Sequence, residues 1–239
     1  WYVRNMAVMS LGHLHAAEAA ETIVRSGDLG YAVHRDVFEG FGPRIDATPL
    51  LEIIQDDDAP DGVKRCAIKA LGFSRDPRAL IPLVQLLQAR TEVFTTTLAL
   101  GQLGNPGAIP PLGQLADDPD VEDLVKNHIL PLALGRIGNP RASRILRRLI
   151  RDKWPSPAPE AIEAFVAIER ESAIGLLEDL WRAGYWGSNL IVSALRWIGG
   201  DASVSAILEL IGAEPVEAAR LLSQTLWHGI GLSYFGGTR

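Results

Sequence analysis

The run Leu98-Ala99-Leu100-Gly101-Gln102-Leu103-Gly104-Asn105-Pro106 returns, about thirty residues later, as Leu132-Ala133-Leu134-Gly135-Arg136-Ile137-Gly138-Asn139-Pro140. A segment that recurs at a steady interval restricts the fold more than composition does. Each copy must take the same local structure and bury the same face against its neighbours. A third copy lies upstream, between Val63 and Leu87. Its first half places Val63, Cys66, Ala67, Ala70 and Leu71 at i, i+3, i+4, i+7 and i+8, one face of an α-helix. Gly72 reads as the closing residue of that helix, where a positive φ is wanted. Asp76 is placed to cap the next helix, with Pro77 in its first turn. The second helix turns Leu80, Leu83, Val84 and Leu87 inward.

Looser copies extend the pattern in both directions. Met6 to Gly12 is followed by Ala16 to Val24, and Tyr31 to Gly40 by Thr48 to Ile54. Ala161 to Ile168 is followed by Ala173 to Trp181, without an anchoring glycine, and Ala194 to Gly199 by Val204 to Ile211. The anchor positions fall near 12, 40, 72, 101, 135, 169 and 196, a period of roughly 30 residues. One helix pair cannot bury both of its apolar faces, so each pair must stack on the next. The expectation is all-α: a right-handed α–α superhelix, or helical-repeat solenoid, of about seven helix pairs plus a terminal helix. It forms a single array over 1–239, with units near 1–26, 31–56, 62–90, 91–117, 121–152, 160–183 and 188–212 and a terminal helix at 216–228. First helices take the convex side and second helices line a concave groove.

Composition removes some classes of function. Of 239 residues, 47% are hydrophobic and 22% charged, an ordinary balance for a folded chain. The net charge of −6 and pI of about 5.4 argue against non-specific nucleic-acid binding. A lone cysteine, Cys66, allows neither an internal disulfide nor a multi-thiolate zinc site. No apolar run approaches the ~18 residues of a membrane span, and no signal-peptide pattern is present. A cytoplasmic protein without membrane contact is the expectation. The chain starts at Trp1, inside a helical pattern and without methionine, as a piece of something longer would.

The Ala-Leu-Gly-x-x-Gly-Asn-Pro signature at 99–106 and 133–140, with Val63-Lys64-Arg65 through Ala70-Leu71-Gly72, resembles HEAT repeats of the phycobilin-lyase-like type. The resemblance is strong in the third to fifth units and weak in the first, second and sixth. It implies a protein-interaction scaffold, since only some members of the family act in bilin attachment. Two alternatives follow from the same resemblance: a lyase-like accessory handling a linear tetrapyrrole, and a HEAT-like nucleic-acid-binding protein. The HEAT-repeat iron hydroxylases carry His-Glu pairs, and this sequence has no His-Glu dipeptide.

Candidate binding residues lie in two places. The second helix of the fifth unit carries Arg141, Arg144, Arg147, Arg148, Arg151 and Lys153, opposed only by Asp152. Arg141, Arg144, Arg148 and Arg151, at i, i+3, i+7 and i+10, share one face suited to an acidic peptide, a phosphate or a nucleic-acid backbone, the acidic net charge favouring the first two. The bland alternative is a solvated face paired with acids such as Glu178 and Asp179. The second place is Tyr185-Trp186, in a glycine-flanked turn, where an exposed aromatic pair would anchor a partner; otherwise the pair packs on the next repeat. Trp181 and Trp197 fall at core spacing. His13 and His15 are close enough to share a metal in principle, but with no cysteine and only Glu18 and Glu21 near they do not make a site; no nucleophile elbow or phosphate loop appears, so no enzyme, cofactor or metal is expected. Asp56-Asp57-Asp58 and Asp117-Asp118-Pro119-Asp120 read as loops capping the following helices rather than as calcium loops. The proline-rich run 153–159 reads as a stiff extended inter-repeat connection and, alternatively, as the place of a kink.

Overall fold

Three repeat joints close by one device. Asp76, Asn105 and Asn139 each have an extended backbone, and each side chain accepts the N–H two residues on, from Arg78, Gly107 and Arg141, at 2.8, 2.9 and 3.0 Å. A 3-10 turn follows at once: Pro77–Ala79, Pro106–Ala108 and Pro140–Ala142. The proline has no N–H to leave unsatisfied at a helix start, and the Asx oxygen satisfies the next donor. The capping read from the sequence at Asp76 is therefore present, and Asn105 and Asn139 repeat it at the next two joints.

The computed structural model describes Met6, Val8, Ser10, Leu11, residues 17–27 and residues 37–213. The His13/His15 pair, the terminal helix at 216–228 and the apolar, glycine-broken end of the chain lie outside the described residues. Every regular element among the described residues is helical, as expected of an all-α helical repeat. The chain divides into two compact units between Asp118 and Pro119.

The first unit holds α1 (Ala20–Arg25), a helical stretch at 37–41, α2 (Thr48–Gln55), α3 (Asp61–Ser74), α4 (Leu80–Gln88), α5 (Val93–Leu103) and α6 (Ile109–Asp117). α3 and α5 lie side by side and form the centre of this unit; α2 packs on α3, and α4 packs on both α5 and α6. Cys66, Ala67, Ala70 and Leu71 are buried on α3 as the spacing requires, while Val63 is half-buried. On α4 Leu83 and Leu87 are buried, whereas Leu80 and Val84 are only half-buried. Arg65 donates to Glu92 through Nε and Nη2 at 3.0 and 2.8 Å, which ties α3 to the start of α5. These bonds hold the Glu92 carboxyl below the usual carboxylate range.

Gly72 does not close its helix. It is buried inside α3, and a Cβ there would lie 2.8 Å from both the Cα and the carbonyl oxygen of Ala99 on α5. Its missing side chain lets the two central backbones approach. The closing position falls to Arg75, at φ 53°, where α5 and α7 use Gly104 and Gly138 at φ 69° and 64°. The Gly-x-x-Gly signature thus has two separable parts, and in the third repeat the second glycine is an arginine.

The second unit holds α7 (Leu130–Ile137), α8 (Ser143–Asp152), α9 (Pro159–Glu169), α10 (Ile174–Arg182), α11 (Ser188–Ile198) and α12 (Gly200–Ala213). A π-helical turn, Val125–Ile129, leads directly into α7. Pro131 explains it: a proline in a continuous helix removes one backbone bond and crowds the preceding turn, and a π turn relieves the crowding. α9 is central, packed on α7, α8 and α11, and buries Ala161, Ile162, Ala164, Phe165 and Val166. The proline-rich connection is not extended. Trp154 N–H donates to the Arg151 carbonyl at 3.1 Å and Ser156 N–H to that of Lys153 at 2.9 Å, a local turn that lets α8 and α9 pack on each other. Trp181 and Trp197 are half-buried rather than core residues, and the Arg170 guanidinium lies 4.5 Å from the Trp197 ring centroid. The acidic loop at 56–58 closes on itself, with Asp58 N–H donating to Asp56 Oδ1 at 3.0 Å, and α3 begins at Asp61, after Pro60, without a side-chain cap.

Candidate functional site

The basic stripe follows from the 3.6-residue period of α8. Leu146, Leu149 and Ile150 turn inward against α9, so the intervening positions must face out. Arg144, Arg147 and Arg151 are exposed and Arg148 is half-buried. Arg141 is exposed as well, but it belongs to the 3-10 turn that precedes α8. Arg147, absent from the face chosen by spacing, lies with its guanidinium 5.2 Å from the ring centroid of Phe165.

Glu178 and Asp179, the acids that might have neutralised the stripe, are engaged by Arg182 on their own helix at 3.4 and 3.2 Å. No ion pair to Arg141, Arg144, Arg147 or Arg151 occurs among the described residues. Lys153 reaches Asp123 at a long 3.9 Å, a surface contact worth little. Trp154, 42% exposed, stands just beyond the end of α8.

Tyr185 and Trp186 do not form an exposed pair. Tyr185 is only 3% exposed, while Trp186 is 69% exposed, and their ring centroids are 5.5 Å apart. Tyr185 therefore cannot serve as the surface anchor that the glycine-flanked turn suggested. Its ring lies over Gly187, where a Cβ would collide with the ring carbons. The hydroxyl is buried without a hydrogen-bond partner among the described residues. Burial, and after it the charges of Glu160 and Glu163, push the phenol up to about 12.

The acids around Tyr185 were not singled out from the sequence. Glu160 and Glu163 stand one turn apart on α9, and His128, from the π-helical turn, meets Glu160 with Nδ1 3.0 Å from Oε2. Burial and then the neighbouring Glu160 push the Glu163 carboxyl up to about 7. The Glu-x-x-Glu spacing is visible in the sequence, but its meeting with His128 and Tyr185 arises only from helix packing.

Residues 93–165 match the family model for HEAT repeats. The match takes in the two copies of the Gly-x-x-Gly-Asn-Pro signature, α8 with its arginines, and the start of α9. No curated protein matches the chain. No helix among the described residues is long and apolar enough to cross a membrane.

Proposed function

We propose that this chain is a non-enzymatic protein-interaction scaffold, and that the outer face of α8 binds an acidic segment of a partner protein. HEAT repeats are generally interaction scaffolds, and the match over 93–165 supports that broad role. One observation carries the finer reading: Arg141, Arg144 and Arg151 are exposed on one side of α8 with no ion pair among the described residues. Guanidinium groups pair bidentately with carboxylates, and a row of them spaced along a helix suits an extended acidic peptide. A solenoid that presents second helices along a concave groove would set this row where a peptide can lie. The acidic net charge favours a local site of this kind over a general polyanion surface.

The experiment is capture of host proteins on the chain beside an Arg141/Arg144/Arg151→Glu variant. Arg148 stays intact because it is half-buried and already engaged. A partner held by the wild type and lost by a normally helical variant supports the reading; a partner held equally by both refutes the site. Retention on heparin in the absence of any protein partner would move the reading to nucleic acid. A spectral shift on mixing with a linear tetrapyrrole would move it to the lyase-like class.

A further inference from the structure

We propose that His128, Glu160, Glu163, Tyr185 and Trp186 form a receptor for an arginine side chain presented by a partner protein. The site is separate from the arginine row of α8 and opposite to it in charge.

Several polar groups here have unmet needs. Glu160 and Glu163 are half-buried on the same side of α9, so their charges repel. Glu160 is engaged by His128, but the Glu163 carboxylate has no hydrogen bond or ion pair among the described residues. The elevated Glu163 carboxyl is one expression of that isolation. The second is independent of the acids: the Tyr185 hydroxyl is excluded from solvent and has no hydrogen-bond partner among the described residues, although buried hydroxyls ordinarily find one. Both carboxylates bear electrostatically on this oxygen, so the orphaned group belongs to the same pocket of negative potential.

A cation entering here would stabilise both carboxylates together and could satisfy the phenol oxygen with a donated hydrogen bond. The shape of that cation is constrained. No group of three or more His, Cys, Asp or Glu side chains among the described residues could hold a metal ion, so the donors are too dispersed for a point charge. A guanidinium spreads five N–H donors over a plane and reaches separated acceptors. Trp186 adds the second element of guanidinium recognition. Its ring is 69% exposed, 5.5 Å from the Tyr185 ring, and offers a face for stacking.

The surrounding backbone holds the site in place. Gly187 leaves the space that the Tyr185 ring fills, so the phenol cannot lie where it does above any other residue without displacement. His128 is carried on the π-helical turn that Pro131 requires, a feature frequent at functional sites.

The test is calorimetric titration of the whole chain with N-acetyl-arginine amide, its citrulline counterpart and its lysine counterpart. Binding of the arginine amide is expected in the millimolar range typical of one side chain, with citrulline at least about tenfold weaker. Glu163→Gln and Glu160→Gln each weaken binding by about tenfold. Tyr185→Phe, which removes only the hydroxyl, and Trp186→Ala each weaken it several-fold, and Glu52→Gln, at an exposed position of α2, leaves it unchanged. Circular dichroism confirms that each variant keeps its helices; if Glu163→Gln loses them, Tyr185→Phe and the citrulline comparison decide. Equal binding of citrulline and arginine, tighter binding of lysine, or no binding of the arginine amide to the folded wild type overturns the proposal.

Discussion

Replacing Gly72 by alanine tests the packing at the centre of the first unit. The new Cβ would lie 2.8 Å from Ala99 Cα, 2.8 Å from its carbonyl oxygen and 3.1 Å from its Cβ. The two tightest contacts are to backbone, which no change of rotamer relieves, so α3 and α5 must separate. Overpacking of this kind costs about 1–3 kcal/mol. Alanine is the better helix former and returns close to 1 kcal/mol. The net expectation is a loss of up to about 2 kcal/mol, a fall of a few degrees in Tm for a chain of this size. Thermal and urea unfolding followed by circular dichroism measure it. Ala99→Gly in the same chain supplies the sharper comparison: it removes only the 3.1 Å contact and should restore little. A Gly72→Ala protein more stable than the wild type, as helix propensity alone would make it, or one fully rescued by Ala99→Gly, would refute the close backbone approach.

Further expectations follow from the helix ends and the acidic pocket. Arg75→Gly relieves a left-handed residue at φ 53° and should stabilise by about 0.5–1 kcal/mol in urea unfolding, the left-handed penalty less the entropy of a flexible residue. Asn139→Ala removes a turn-closing acceptor and should cost about 1 kcal/mol, while Asn139→Asp should retain most of it. Glu163, raised from 4.5 to about 7 by burial and Glu160, binds its proton more tightly in the folded state, so ionising it opposes folding. Its contribution therefore destabilises progressively as pH rises from about 4.5 to 7 and is fully expressed above that range. Unscreened, the shift corresponds to about 3 kcal/mol; the carboxylate is half-exposed, and screening reduces this to about 1–2 kcal/mol. Glu163→Gln should be more stable than the wild type by that amount at pH 8 and equal to it at pH 4, and parallel curves at both pH values would contradict the assignment.

What was legible in the sequence depended on how far apart the interacting residues lie. The Asp76 joint was readable because donor and acceptor stand two residues apart, and the same short-range signal at Asn105 and Asn139 was not singled out. On α8 the outward positions of Arg144 and Arg151 were readable from helical period, whereas Arg148 is half-buried and Arg141 precedes the helix. Gly72 was misassigned because one residue type serves both close helix packing and helix closure, and the copy that would have separated the two uses carries Arg75. Arg147 over Phe165, and Tyr185 beneath the surface, depend on which helix lies opposite. No local pattern encodes that choice.

A joint that meets its own hydrogen-bonding demand within three residues is portable. Inserting or deleting one whole repeat leaves each remaining joint with its own acceptor, proline and turn, so a lineage can lengthen or shorten such a chain in whole repeats. Inserting a single residue between Asn105 and Gly107 has no such freedom, because it separates the acceptor from its donor. Change in this chain is thus cheap in steps of about thirty residues and costly in steps of one.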